Sequence, residues 1–168
     1  MKNKIIVISM GVVALALMGP ASNAAQNPPA KNGGGKLSAK DKRFMNDAAK
    51  GGMMEVEWGK LAAQNAKHPE VKKFGNRMVT DHSKANDELM TLAKEEGMEL
   101  PAAKSPGKWK NDKDYIDMMV KDHEKDLAEF QAEAKEGTDP DLKKFAGNTS
   151  KIVEKHLQMA KEIQGKLK

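Results

Sequence analysis

Four ionisable side chains interrupt helical stripes that are otherwise apolar: Glu55, His82, His123 and His156. Carboxylate and neutral imidazole are ligands that zinc and first-row transition metals accept. If the four converge, they make a shell for one ion of copper, zinc, iron or manganese. Asp81 and Asp122 each stand immediately before a histidine, where a carboxylate can orient a ligand on a neighbouring helix by accepting from its outer ring nitrogen. Met78 and Met119 precede His82 and His123 by four residues, and Met159 follows His156 by three. Each thioether therefore sits one turn from an imidazole on the same face, a pairing that suits Cu(I). A blander reading stays open beside each of these. Methionine fills irregular core gaps, the aspartates are ordinary surface acids, and a buried Glu among histidines also makes a self-satisfied hydrogen-bonded layer that fixes helix register.

Positioning these groups requires four helices. The first begins at Ser38, whose hydroxyl can cap the Asp41 N–H, and runs to about Lys67. His68-Pro69 breaks the chain, and the second helix continues to about Glu96, with Gly97 as a left-handed stop. The third runs from about Asp112 to Glu136, ended by Gly137, and Asp139-Pro140 starts the fourth. Alternating three-and-four spacing gives core stripes through Phe44, Ala48, Gly51, Glu55, Trp58 and Ala62 on the first helix, and through Ile116, Val120, His123 and Leu127 on the third. The second and fourth helices supply stripes through His82 and His156 in the same way. Connections of a few residues force helices 1–2 and 3–4 into antiparallel hairpins. Met98 to Asn111, with Pro101, Pro106 and Gly107, is longer. Two hairpins and one longer connection fit an all-α, antiparallel four-helix bundle of ferritin-like layout, although the connection is short for a full-length crossover. Counted from the turns at 1.5 Å per residue, Glu55 and His82 lie roughly 20 Å up one hairpin, and His123 and His156 roughly 22 and 27 Å up the other. The four meet only if the hairpins pack in register, which the sequence leaves undecided.

The rest of the chain limits the function classes. Lys2 and Lys4 before an apolar run from Ile5 to Met18, then Ser22 and Ala24 at a small-residue cleavage position, read as a signal peptide over residues 1–24. The apolar run is shorter than a membrane span needs, so the reading is export to the periplasm with no span left after cleavage. Residues 25–37, rich in Pro, Gly and Asn, read as a disordered linker, and residues 38–168 as the bundle. Without Lys2 and Lys4 the net charge falls from +5 to +3 (27 basic residues against 24 acidic). Both signs are interleaved along every helix, without the one-sided basic face expected of a nucleic-acid binder. Cys is absent, which removes disulfides, thiolate sites and a lipidated cysteine. No phosphate-cradling loop, nucleophile elbow or HExxH run is present, so no catalytic group is assigned and no enzyme is expected.

Met78-Val79-Thr80-Asp81-His82 recurs as Met119-Val120-Lys121-Asp122-His123, and Val71-Lys72-Lys73-Phe74 as Leu142-Lys143-Lys144-Phe145. The first pair joins helices that are not equivalent by hairpin duplication, so it reflects similar roles. Together with Glu55…Trp58-Gly59-Lys60-Leu61-Ala62, Tyr115-Ile116 and Lys155-His156-Leu157, these segments resemble an exported bacterial family known as domain of unknown function 4142. Some of its members are labelled predicted outer-membrane proteins. The resemblance spans about Asp41 to Lys166 and implies a ferritin-like bundle in the periplasm or envelope, with no established activity. Di-iron ferritin-like proteins place a Glu three residues before a ligating His. Here those positions are Val79, Val120 and Val153, so a metal would be mononuclear. Two readings follow: a bundle that holds one transition-metal ion for buffering or stress tolerance, or an envelope interaction module whose His/Glu layer is purely structural. No protein partner can be named from the sequence.

Overall fold

The structure, a computed structural model, describes residues 37–167. The segments read as a signal peptide and as a linker, up to residue 36, lie outside the described residues. Four helices account for most of the rest: α1 (Ala39–Asn65), α2 (Pro69–Glu95), α3 (Asp112–Glu136) and α4 (Pro140–Lys166). No strand occurs among the described residues. None of these helices is long and apolar enough to cross a membrane.

Local chemistry sets the boundaries. Ser38 closes a full capping box: its hydroxyl accepts from the Asp41 N–H, while its own N–H donates to the Asp41 carboxylate. His68 caps α2 by accepting the Glu70 N–H on Nδ1 at 3.3 Å, and Asn111 and Asp139 cap α3 and α4 through side-chain oxygens. Pro69 and Pro140 occupy the first helical position, where the missing N–H costs no hydrogen bond. Gly97 ends α2 with φ of 64°, a conformation that a side chain would disfavour.

α1 pairs with α2 and α3 with α4, and the hairpins then pack with α2 beside α4 and α1 beside α3. The connection from Glu96 to Asn111 does cross the full bundle length, because Asn111 caps α3 at the same end as the α1–α2 turn. α2 is about 40 Å long at 1.5 Å per residue, and 16 extended residues reach about 50 Å or more, so the segment is long enough. α2 and α3 consequently run in the same direction, and every neighbouring pair is antiparallel.

Two carboxylates lock the hairpins end to end. Asp112 at the start of α3 accepts the Lys67 and His68 N–H groups of the α1–α2 turn, at 3.0 and 2.6 Å. At the other end, buried Asp41 of α1 accepts the Thr138 N–H at 3.1 Å and the Thr138 hydroxyl from the α3–α4 turn. Burial raises the Asp41 carboxyl, but the bonds from Thr138 and Ser38 outweigh it and hold it well below the usual carboxylate range. Lys40–Glu136 and Lys166–Glu70 ion pairs join the hairpins at opposite ends.

Two apolar clusters flank the middle. One gathers Phe74, Met78, Tyr115, Ile116, Met119 and Ala160, and the other Leu37, Met45, Leu89, Leu142 and Phe145. Leu37, assigned to the linker in the sequence reading, is thus a buried core residue. On α1 Glu55 and Ala62 are buried as the expected stripe has them, but elsewhere the buried line runs through Met45, Ala49, Gly52 and Gly59, one position on from Phe44, Ala48, Gly51 and Trp58. The crossover explains part of that shift: Gly107 and Trp109 shelter Trp58 outside the four-helix interior. α1 and α2 touch backbone to backbone where they cross. A Cβ on Gly75 would lie 2.7 Å from the Gly59 carbonyl oxygen, and one on Gly59 2.8 Å from that of Gly75.

Candidate metal centre

Between the two apolar clusters the four polar residues picked out of the stripes do meet. Glu55 comes from α1, His82 from α2, His123 from α3 and His156 from α4, all at most 5% exposed. The imidazole centroids are 5.1 Å apart for His82 and His156, 5.6 Å for His123 and His156, and 5.7 Å for His82 and His123. One nitrogen of each ring lies within 4.8 Å of the others, as three metal ligands would.

The hydrogen bonds around the rings decide which nitrogens are free. His82 Nδ1 lies 2.9 Å from Glu55 Oε2, so it carries a hydrogen and donates. His156 Nε2 donates to Asp81 Oδ2 at 2.9 Å. His123 Nδ1 donates to the Met119 carbonyl at 3.0 Å, with Glu55 Oε1 a further 3.4 Å neighbour. Each ring therefore has one nitrogen held by an oxygen. The remaining ones are His82 Nε2 and His156 Nδ1, 3.2 Å apart, and His123 Nε2, buried with no hydrogen-bond partner. Two bare lone pairs 3.2 Å apart repel, so a proton or a cation must stand between them. Oxygen acceptors behind imidazoles are also how metal-ligating histidines are oriented.

Charge at the centre follows from the same contacts. Burial lowers the His82 pKa, but the Glu55 charge and hydrogen bond outweigh it and raise the imidazole above its ordinary value. Glu55 is the mirror case: burial pushes its carboxyl up, and the His82, His123 and His156 rings bring it below the usual value. His123 is lowered chiefly by burial. His156 is pushed down to about 4 by burial and then by the neighbouring His82 charge. His123 and His156 are therefore neutral at pH 7 and offer lone pairs.

The structure places the remaining candidates as follows. Asp81 is held between His156 and the Arg77 guanidinium, so it supports a histidine on a neighbouring helix, as its spacing suggested. Asp122 is exposed, and no hydrogen bond or ion pair joins it to a histidine among the described residues. The likeness of the two segments does not extend to their neighbours: Asp81 of α2 lies beside His156 of α4, whereas His123 of α3 lies beside the acidic Glu55 of α1. Burial and then the Glu55 charge raise the Asp122 carboxyl. Met78 and Met119 are fully buried in the apolar cluster that flanks the histidines, and Met159 packs half-buried against it. Met119 serves His123 through its backbone carbonyl. Sequence reasoning missed Asp126, which lines a cavity together with Glu55 and His82. Its position one turn beyond His123 was a signal available in the sequence.

A family model described as Domain of unknown function (DUF4142) matches residues 26–163, and the chain belongs to that family. No curated protein matches it. Among solved structures, one similar fold is a two-domain protein from Anabaena variabilis with DJ-1/ThiJ/PfpI-like and ferritin-like domains. That match has 18% identity and a TM-score of 0.62; it covers 77% of this chain and 38% of that one. A conserved hypothetical protein from Mycobacterium tuberculosis is similar at 14% identity and TM-score 0.65, over 75% of this chain and 91% of that one. A DUF305 fragment from Deinococcus radiodurans gives 8% and 0.66, over 78% and 99%. At such identities the likeness establishes the ferritin-like fold alone.

Proposed function

We propose that this DUF4142 bundle binds one transition-metal ion through His82, His123 and His156, with Glu55, Asp81 and the Met119 carbonyl fixing the three rings. The observation that carries the reading is the hydrogen-bond arrangement. Every ring spends one nitrogen on an oxygen acceptor, and one nitrogen of each ring lies within 4.8 Å of the others. Three imidazole nitrogens, His82 giving up its proton on binding, suit zinc or copper better than an ion that prefers oxygen. The valines at positions 79, 120 and 153 leave no carboxylate bridge for a second iron, so the centre is mononuclear. With no assigned nucleophile or acid–base pair, the role we favour is holding metal, as buffering or stress tolerance, rather than turnover. The signal-like N-terminal segment supports a periplasmic location for that role.

The competing reading is a structural layer in which a proton, not a metal, fills the gap. It rests on the 3.2 Å separation of His82 Nε2 and His156 Nδ1, a hydrogen-bond length once His82 is protonated. Metal uptake would then displace that proton, so affinity should rise with pH. Elemental analysis of untagged protein from the periplasm, beside a His82→Ala/His123→Ala variant, separates the two. Near-stoichiometric metal in the wild type alone supports the centre. Added metal at a hundred times its Kd should also stabilise the wild type by about 2.7 kcal/mol. An empty wild type that takes up no zinc or copper on titration would leave only the structural layer.

A further inference from the structure

A cavity among the described residues reaches this polar layer. It has a volume of about 260 Å³ and lies between α1 and α3, lined by Gly51, Gly52, Glu55, His82, Asp126 and Thr149 among others. That volume holds several waters at about 30 Å³ each. Among the described residues the other sides of the centre are packed. His123 and His156 are 0% and 1% exposed, Phe74, Met78 and Met119 pack in the core on one side, and Arg77 covers Asp81.

The charges along the cavity are graded. At its mouth the acids are paired: Lys50 Nζ is 3.5 Å from Asp47 Oδ1, and Lys125 Nζ is 3.3 Å from Glu129 Oε1. Further in, Glu55 is held on one oxygen by His82, and Asp126 makes no hydrogen bond or ion pair among the described residues. Burial, and then the charge of Glu55, push its carboxyl up to about 7. Glu55, 95% buried, has an Oε1 with no hydrogen-bond partner, and the buried Thr149 adds a hydroxyl to the lining. A carboxylate without a cationic partner, as Asp126 is, attracts cations inside a low-dielectric cavity more strongly than the neutralised rim does.

We propose that this cavity is an oxygen-donor docking position for a hydrated divalent cation, held by Asp126 and Glu55 before it passes to the imidazoles. The proposal rests on the imidazole centre described above. A hydrated cation suits the position because carboxylate and hydroxyl groups hold it largely through its own waters. Glu55 then links the stages, since it faces the cavity and also holds His82.

The test is the rate of Co(II) uptake by metal-free protein, followed by stopped-flow absorbance, with the final stoichiometry read separately. Two variants probe different features. Asp126→Asn removes the inner charge, and the assay is run above pH 7, where a carboxyl pushed up to about 7 is ionised. Gly51→Leu fills the channel without changing charge, at a position where a Cβ meets nothing within 4 Å and helix propensity improves. Both should load at least about tenfold more slowly, as loss of electrostatic focusing or of access implies, yet reach the wild-type endpoint. Raising the salt concentration should slow the wild type toward Asp126→Asn. Wild-type rates in Asp126→Asn would overturn the role of the carboxylate, and wild-type rates in Gly51→Leu would overturn the route. In either case a loaded endpoint leaves the imidazole centre standing. A wild type that takes up no Co(II) at any concentration would overturn the centre and this proposal together.

Discussion

Replacing His82 by alanine in the metal-free protein tests how the polar layer is held together. Glu55 is 95% buried, and its closest cationic neighbour is His82, 2.9 Å away. His123, at 3.4 Å, has its pKa lowered and stays neutral. His82→Ala therefore strands a carboxylate in the interior, a change that costs about 3–5 kcal/mol when one partner of a buried pair is lost. Unfolding entropy of about 2.1 cal/mol/K per residue gives about 0.28 kcal/mol/K over some 130 residues, so the expected fall in Tm is about 11–18 °C. Adding Glu55→Gln removes the stranded charge while leaving the space vacated by the imidazole. The double variant should therefore be more stable than His82→Ala alone, with an interaction energy of about 2–3 kcal/mol across the cycle. Thermal unfolding by circular dichroism at pH 7 with a chelator measures all four proteins. A double variant no more stable than His82→Ala would refute the ion pair and recast Glu55 as a neutral hydrogen-bonding group.

Two further perturbations act away from the centre. Gly75→Ala sets a methyl 2.7 Å from a backbone oxygen of α1, so it should destabilise by about 1–3 kcal/mol despite the better helix propensity. Gly51→Ala meets nothing within 4 Å and should gain about 0.5–1 kcal/mol; chemical denaturation of the pair checks the contrast. Glu133 gives a pH signature: burial, then its neighbour Asp41, raise its carboxyl from 4.5 to about 7. The native state keeps that proton when the unfolded chain has lost it, so Glu133's contribution to stability is full below 4.5 and is lost as pH rises through about 7. Glu133→Gln should flatten that part of the stability–pH curve, and an unchanged slope would rule out Glu133 as its source.

What the sequence made legible was local. Ser38, Pro69, Gly97, Gly137 and Asp139 announce helix ends through caps and backbone preferences that depend on a few neighbouring residues, and the structure has each of them at a boundary. The ionisable positions 55, 82, 123 and 156 stood out because a polar residue on an apolar stripe breaks a short-range period. Asp122 looked equivalent to Asp81 because the likeness of the two MVxDH segments says nothing about which helix each one faces. Register was hidden for the same reason. It is set by Asp112 on the α1–α2 turn and Asp41 on the α3–α4 turn, contacts between residues 44 to 97 positions apart. These clamps bear on the chemistry although they lie at the bundle ends, roughly 20 Å from the histidines by helical rise. A slip of one residue would move a ring by about 1.5 Å along the axis and turn it by about 100°. That would carry His123 or His156 off the interior, so convergence of the imidazoles depends on the end clamps as much as on the histidines themselves.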